Sequence, residues 1–449
     1  MRDTKSTEQH FELEEEFEQV PVPESHRKSV TSVAFVWLGF PLNFFPAVLG
    51  GVICALVGFQ STVLAIALGS LFMFVYVGTI SYFAGRTGYS FALLAQRVFG
   101  RVGYLLMVGF LATAVIGWFA FNTGFTGATL HQTFGWNERL MTLLCAVAFI
   151  LLTVVGVRGL KYIGMVAAPV VIVLTITALI FASNGVSVSH IWNYPGVSGA
   201  GLSLGAAVTL VIATFADAGT MTGDFTRWSR NGREAVIATA AAFPIGNAFA
   251  FTSGAVLVGT GIIGDPAVVG GNIITVMAHN HGALLAALAG LCVVVSLGSV
   301  CAHCLYNGAL GWSNLVRVPM RVLVVGFGVL AGAAAVAGIW NHLLDWLNLL
   351  GVFVPPLGGV MVAAALCGAF ATGTADQKPT SINVRSFVAY ASGGLAGGLA
   401  HYQAPQLSEA VVGAVAAALA FTALRFASRQ GTGAASRRAR TLDSSAMSR

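Results

Sequence analysis

Runs of about 20 apolar residues, the length that crosses a bilayer as helix, recur from near residue 30 to residue 426. No other feature constrains this 449-residue chain as strongly. Only 9% of its residues are charged, against about 25% in ordinary soluble domains. In hydrocarbon every backbone N–H and C=O must be satisfied within the protein, which leaves helices as the structure for such runs. The expected fold class is therefore an all-α polytopic membrane protein. The six cysteines (Cys54, Cys145, Cys292, Cys301, Cys304, Cys367) fall in apolar segments and read as small hydrophobes, without a disulfide framework. A net charge of +6 reads as a topology signal, with no nucleic-acid partner implied; the partner is the lipid bilayer.

Taken in order, residues 1–29 form a cytosolic tail whose acidic run (Glu12, Glu14, Glu15, Glu16, Glu18) is expected to be solvated. No cleavable signal peptide is expected. Spans are predicted at about 30–57, 61–84, 103–130, 139–157, 163–183, 209–231, 235–262, 283–311, 320–338, 345–369, 386–402 and 407–426. An amphipathic connector covers 85–101, Arg158 and Lys161 mark the turn before span 5, and a short helical piece within 264–281 is expected at the outer surface. Residues 427–449 read as a mobile cytosolic tail. On this map every Lys and Arg except Arg139 lies on one face. The positive-inside rule then puts both termini in the cytoplasm of a multi-pass plasma-membrane protein, and about 12 spans is the count that fits.

Two spans are predicted to be broken. Span 1 carries Pro41 and Pro46 around Asn43 at its centre, and two prolines so close free carbonyls in a regular helix. Span 6 carries Asp217 beside Gly219 and Thr220; an acid mid-span costs about 2.5–3.5 kcal/mol on insertion scales. Span 1 enters from inside and span 6 from outside, five spans later. Position and direction of the breaks thus suggest a 5+5 inverted repeat, with halves at 30–183 and 200–369 followed by two further helices at 386–426.

Three roles are open to Asp217: accepting from a substrate amino or amidine group, holding a cationic substrate, or carrying a proton. A purely structural acid is the plain alternative. His303 can pair with Asp217, polarise substrate, or bond a backbone carbonyl. Cys301 and Cys304 share a helix face, but zinc needs four convergent ligands and no second Cys/His cluster accompanies them.

In the order they occur, Val22-Pro23-Glu24-Ser25-His26-Arg27-Lys28, Gly117-Trp118-Phe119, Phe215 through Phe225, Leu305-Tyr306-Asn307 with Gly311-Trp312-Ser313-Asn314, and Val354 through Val360 resemble motifs of the nucleobase–cation symporter family, the purine-cytosine permeases. The resemblance, to the bacterial cytosine permeases above all, runs from about 22 to 426. It implies a leucine-transporter-like fold and a flat heterocycle stacked by Trp118 and Phe215, where each ring taken alone would read as packing. It also implies a substrate contact at Asp217, in place of a family serine. Val115 stands where the family has glutamine, and Ser296 and Cys301 where it has asparagines, so much of the polar set that reads cytosine is replaced. The family-type cation site maps onto Gly39, Asn43, Ser296 and Ser299, with Val300 in place of a further hydroxyl; Ser296 and Ser299 bonding their own helix is the plain alternative.

The function that follows is secondary symport of a nucleobase-like heterocycle, with a sodium ion or proton as coupling ion and no other cofactor. Transport of a cationic or amidine-bearing ring is the alternative. Against an enzyme stands the lack of a paired nucleophile and base or a nucleotide loop. Against a receptor stands the lack of a sizeable soluble domain.

Overall fold

The structure is a computed structural model that describes residues 16–17, 19–197, 201–278, 283–370 and 380–446. Most of the acidic run lies outside the described residues. The first span is two helices, α1 (Val30–Leu38) and α2 (Phe44–Val57). Ser29 caps α1, and Asn43 caps α2 by accepting from Phe45 N–H at 2.9 Å. Pro46 falls in the first turn of α2, where a missing N–H has no consequence. Then come α3 (Phe59–Thr87), α4 (Phe91–Phe99), α5 (Gly103–Phe134), α6 (Glu138–Val154) and α7 (Val157–Ser183). The connector is amphipathic as expected: α4 buries Phe91, Leu94, Ala95 and Val98. Span 5 begins six residues earlier than its hydropathy suggests, because Val155-Gly156 suffices for the turn; Arg158 and Lys161 belong to the first turns of α7.

After the short α8 (Val188–Trp192), span 6 is divided into α9 (Leu204–Ala213), α10 (Ala216–Thr220) and α11 (Gly223–Thr226). Span 7 is also interrupted, which the sequence reading missed. α12 (Gly232–Ala240) passes through a π-helical stretch (Ala241–Gly246) into α13 (Asn247–Gly259), with Phe243 in an extended conformation before Pro244. A proline followed by helix-compatible residues gave too weak a periodicity break to mark it. The short α14 (Pro266–Val269) and α15 (Ile273–Ala278) follow. Gly264, Asp265 and Ala267 are exposed, but α15 does not lie on the surface: Ile273, Ile274 and Met277 are buried, and α15 packs on α2, α7 and α16. The rest is α16 (Ala283–Val316), α17 (Met320–Val336), α18 (Leu343–Leu366, continuous through Pro355-Pro356), α19 (Val384–Gln403) and α20 (Glu409–Ala446). The basic C-terminal segment is thus a helical continuation of the last span as far as Ala446.

Seven helices among the described residues are long and apolar enough to cross a membrane, and α2, α9 and α17 are shorter apolar pieces. Their outer faces are apolar too. Leu64, Leu68, Leu71 and Val75 form an exposed stripe along α3 at helical spacing, a pattern suited to lipid rather than water. α2 and α13 approach closely at glycines: a Cβ on Gly50 would lie 2.1 Å from Phe251 O, and one on Gly254 1.6 Å from Ala47 O. Small residues permit this helix contact, as they do in bilayers generally.

Candidate functional site

Both breaks face the centre of the bundle. At the first, the backbone turns through Gly39 to Asn43, and α16 lies alongside. Ser299 Oγ donates to Gly39 O at 2.7 Å, and Ser296 Oγ accepts from Phe44 N–H at 2.7 Å. Neither serine merely bonds its own helix: each satisfies a backbone group that the break frees. Asn43 is fully engaged, donating from Nδ2 to Phe40 O at 2.7 Å while its Oδ1 caps α2. Gly39, Asn43, Ser296 and Ser299 are therefore assembled around one break, with Ser299 Oγ tied to Gly39 O and the oxygens of Ser296 and Asn43 tied to N–H groups at the start of α2. Val300, on the same helix, is buried and brings no side-chain oxygen.

At the second break, Phe215 stands between α9 and α10, and Asp217 lies in the single turn of α10. Asp217 Oδ1 accepts from Ala218 N–H at 2.8 Å. Asp217 Oδ2 and Trp118 Nε1 are both buried and without a hydrogen-bond partner. The Trp118 indole N–H is nevertheless within reach of the Asp217 carboxylate as a donor, although the two do not form a well-aligned hydrogen bond. A donor and an acceptor thus sit near one another in a dry interior without a well-formed hydrogen bond between them, where a fully unpaired group costs about 1–3 kcal/mol. Close by, Tyr76 and Thr220 hydroxyls share a hydrogen bond between α3 and α10.

The two aromatic residues are not in ring contact with each other. Trp118 packs on Phe45 at 5.6 Å and Phe121 at 6.3 Å between ring centres; Phe215 packs on Phe40 at 5.3 Å and Phe243 at 5.9 Å. Phe243 reaches the site because of the interruption in span 7. Trp118, Asn122 and Phe125 share one face of α5 and, with Phe45 and Trp340, line a cavity of about 10 Å³. That is room for one water, against about 300 Å³ or more for a ligand pocket, so the site is closed in this conformation. The 118, 122, 125 spacing was readable in the sequence; Phe40, Phe45 and Phe243 carried no such signal.

Two expected site residues, His303 and Cys301, bond to other groups. His303 does not pair with Asp217: its Nδ1 meets Ser299 O at 2.7 Å and its Nε2 meets Val36 O at 2.6 Å, so both ring nitrogens are taken by backbone carbonyls of α16 and α1. Cys301 faces α5, with Sγ 3.5 Å from Thr123 Oγ1 and 3.9 Å from Phe119 O. Val115, one turn before Trp118, is wholly buried among apolar neighbours.

Residues 21–422 match the family model described as permease for cytosine/purines, uracil, thiamine, allantoin. The chain belongs to this permease family. It is a transporter and an integral membrane protein, not an enzyme. Over 355 residues the permease is 30% identical to the cytosine permease of Escherichia coli (strain K12), covering 77% of this chain and 80% of that protein. Among solved structures it resembles Mhp1, a nucleobase-cation-symport-1 family transporter, in a closed conformation with bromovinylhydantoin bound: TM-score 0.75, 17% identity, 93% of this chain and 97% of that chain. It also resembles a Na+-coupled sialic acid symporter in a substrate-bound outward-open state, with TM-score 0.64, 13% identity, and 89% of each chain covered. The leucine-transporter-like architecture expected of the permease is the fold of these neighbours.

Proposed function

We propose that this permease is a secondary active symporter that takes up a nucleobase-like heterocycle with a cation by alternating access. In this reading Trp118, Phe215 and Asp217 contact the substrate. The carrying observation is the poorly paired couple at the second break, Trp118 Nε1–H as donor and Asp217 Oδ2 as acceptor, buried together without a well-formed hydrogen bond. Nucleobases and related rings such as hydantoins present an N–H beside a C=O, which satisfies both at once. Asp217 then does for an N–H edge what a neutral side chain does for a different edge, so the preferred base need not be cytosine. The relatives, a cytosine permease and a transporter with a hydantoin bound, support this neutral-heterocycle reading over one of cationic or amidine-bearing rings.

The coupling cation is assigned to the first break. Gly39 O with Ser296 and Ser299 Oγ offers oxygens to a hard cation once the Ser299 hydroxyl turns away from the carbonyl. The kinship with a Na+-coupled symporter supports sodium. Around these breaks the reading places two five-helix halves, 30–183 and 200–369, within twelve spans, with helices 386–426 outside them. Both termini face the cytoplasm of the plasma membrane, as the basic residues imply.

A thermal-shift screen of purines, pyrimidines, hydantoins and cationic heterocycles on purified protein, followed by uptake of the hits into proteoliposomes, tests the function. Neutral ring compounds with an N–H beside a C=O should raise the melting temperature and accumulate against their gradient when a sodium or proton gradient is imposed. Stabilisation by amidines alone, or equilibration without accumulation, would defeat it.

A further inference from the structure

The N-terminal tail is not a solvated appendage where the structure describes it. Glu16 is 3% exposed and Phe17 7%. The Glu16 carboxylate accepts from Val157 N–H at 2.9 Å, at the start of α7, and from the Tyr306 hydroxyl at 2.8 Å, on α16. Arg227, which follows α11 and is wholly buried, donates to Glu16 O at 2.7 Å and to Phe17 O at 2.8 Å. The Phe17 ring lies edge-on to Trp228 at 6.0 Å and to His26 at 4.8 Å. Two residues of the tail thus tie together three elements: the start of α7, the end of broken span 6, and Tyr306 within α16.

The neighbouring sequence is shaped for this contact. Gly156 has φ +80°, and a Cβ there would lie 1.9 Å from Glu16 Oε1; a side chain would push the carboxylate off Val157 N–H. Arg227 takes two tail carbonyls, and without them a buried guanidinium would lose those partners in the interior. Toward the centre of the bundle, Asp224 Oδ2 and the Asn307 amide have no protein partner. Polar groups of that kind suit a path that is wetted in another conformation.

We propose that Glu16 and Phe17 form a gate on the tail-bearing face, latched by Arg227, Tyr306 and Val157 N–H, which must withdraw in each cycle for substrate to leave the Trp118–Asp217 site on that side. This rests on the alternating-access reading but on no particular substrate. α7, α11 and α16 cannot separate while one carboxylate and two tail carbonyls bridge them. Glu16, Arg227 and Tyr306 are accordingly positioning residues: they set the closed state and do not touch substrate.

Peptide-resolved alkylation of the full-length protein in liposomes by N-ethylmaleimide tests the gate without substrate. Cys304 is buried in α16 within one turn of Tyr306 and reports on opening there; Cys145, on α6, is buried elsewhere and is the control. Glu16→Ala should raise the Cys304 alkylation rate about tenfold, the shift in opening equilibrium expected when hydrogen bonds to a charged group are lost, with Cys145 unchanged. Tyr306→Phe, which removes one donor and almost no volume, should give a smaller rise at the same cysteine. An unchanged Cys304 rate in both variants overturns the gate. So does an equal rise at Cys145, which marks general loosening. Failure of the uptake experiments alone, with the Cys304 response intact, would count against the proposed substrate and not against the gate.

Discussion

Trp118 and Asp217 each leave one polar atom in the interior without a well-formed hydrogen bond, and a buried group so poorly satisfied in a native fold calls for a partner that arrives later. Trp118→Ala should weaken substrate binding by about 1–3 kcal/mol, by analogy with base stacking on aromatic side chains; isothermal titration of the variant against the native protein measures it. Asp217→Asn keeps shape but replaces the accepting oxygen or the charge. It should raise Kd at least about tenfold. Normal binding combined with lost gradient-driven accumulation would instead make Asp217 a proton carrier, and normal binding with normal accumulation would leave it no part in transport. At the first break, Ser299→Ala removes the hydroxyl that holds Gly39 O. The sodium concentration for half-maximal uptake should rise several-fold, as a hard cation loses an oxygen, while substrate affinity at saturating sodium stays near normal. An unchanged sodium dependence would move the cation site elsewhere.

At the scale of elements, the breaks depend on neighbours that hold them open. α16 supplies Ser296 and Ser299 to the first break and His303 to the carbonyls of α1 and its own helix. α2 is held against α13 by glycines on both helices. Gly254→Val places side-chain atoms on the backbone of Ala47 and should cost about 1–3 kcal/mol or more through overpacking. Gly394→Ala, on the open face of α19 where a Cβ meets nothing within 4 Å, should leave the melting temperature unchanged. Comparable losses in both variants would mean that the α2–α13 contact is not a constraint on the fold. The interruption in span 7 has a similar standing: Phe243 leaves the helical path and so meets Phe215 and Trp37 at the centre of the bundle.

For the whole molecule the test is topological. Arg233 and Gln132 are exposed and lie at opposite ends of the spans. Arg233→Cys should react with a membrane-impermeant maleimide only from the cytoplasmic side, and Gln132→Cys only from outside in intact cells. Labelling of Arg233→Cys in intact cells would invert the orientation drawn from the basic residues.

Much of the fold was legible in the chain because a bilayer leaves so few choices. Long apolar runs must be helices, and two prolines around Asn43 or an acid at 217 beside glycine and threonine mark where a helix cannot continue. The family motifs are contiguous in sequence, and for that reason the permease could be recognised from short ordered matches. The contents of the site were legible only as positions. Whether Ser296 and Ser299 turn to their own helix or to the first break, and where Nε2 of His303 points, depend on partners more than 250 residues away, as in Ser296 to Phe44, Ser299 to Gly39 or His303 to Val36. Local pattern carries no information about such pairs. Glu16 shows this most clearly: within an acidic run it reads as solvated charge, and only the meeting of α7, α11 and α16 supplies the N–H, hydroxyl and guanidinium that let its carboxylate and backbone be buried.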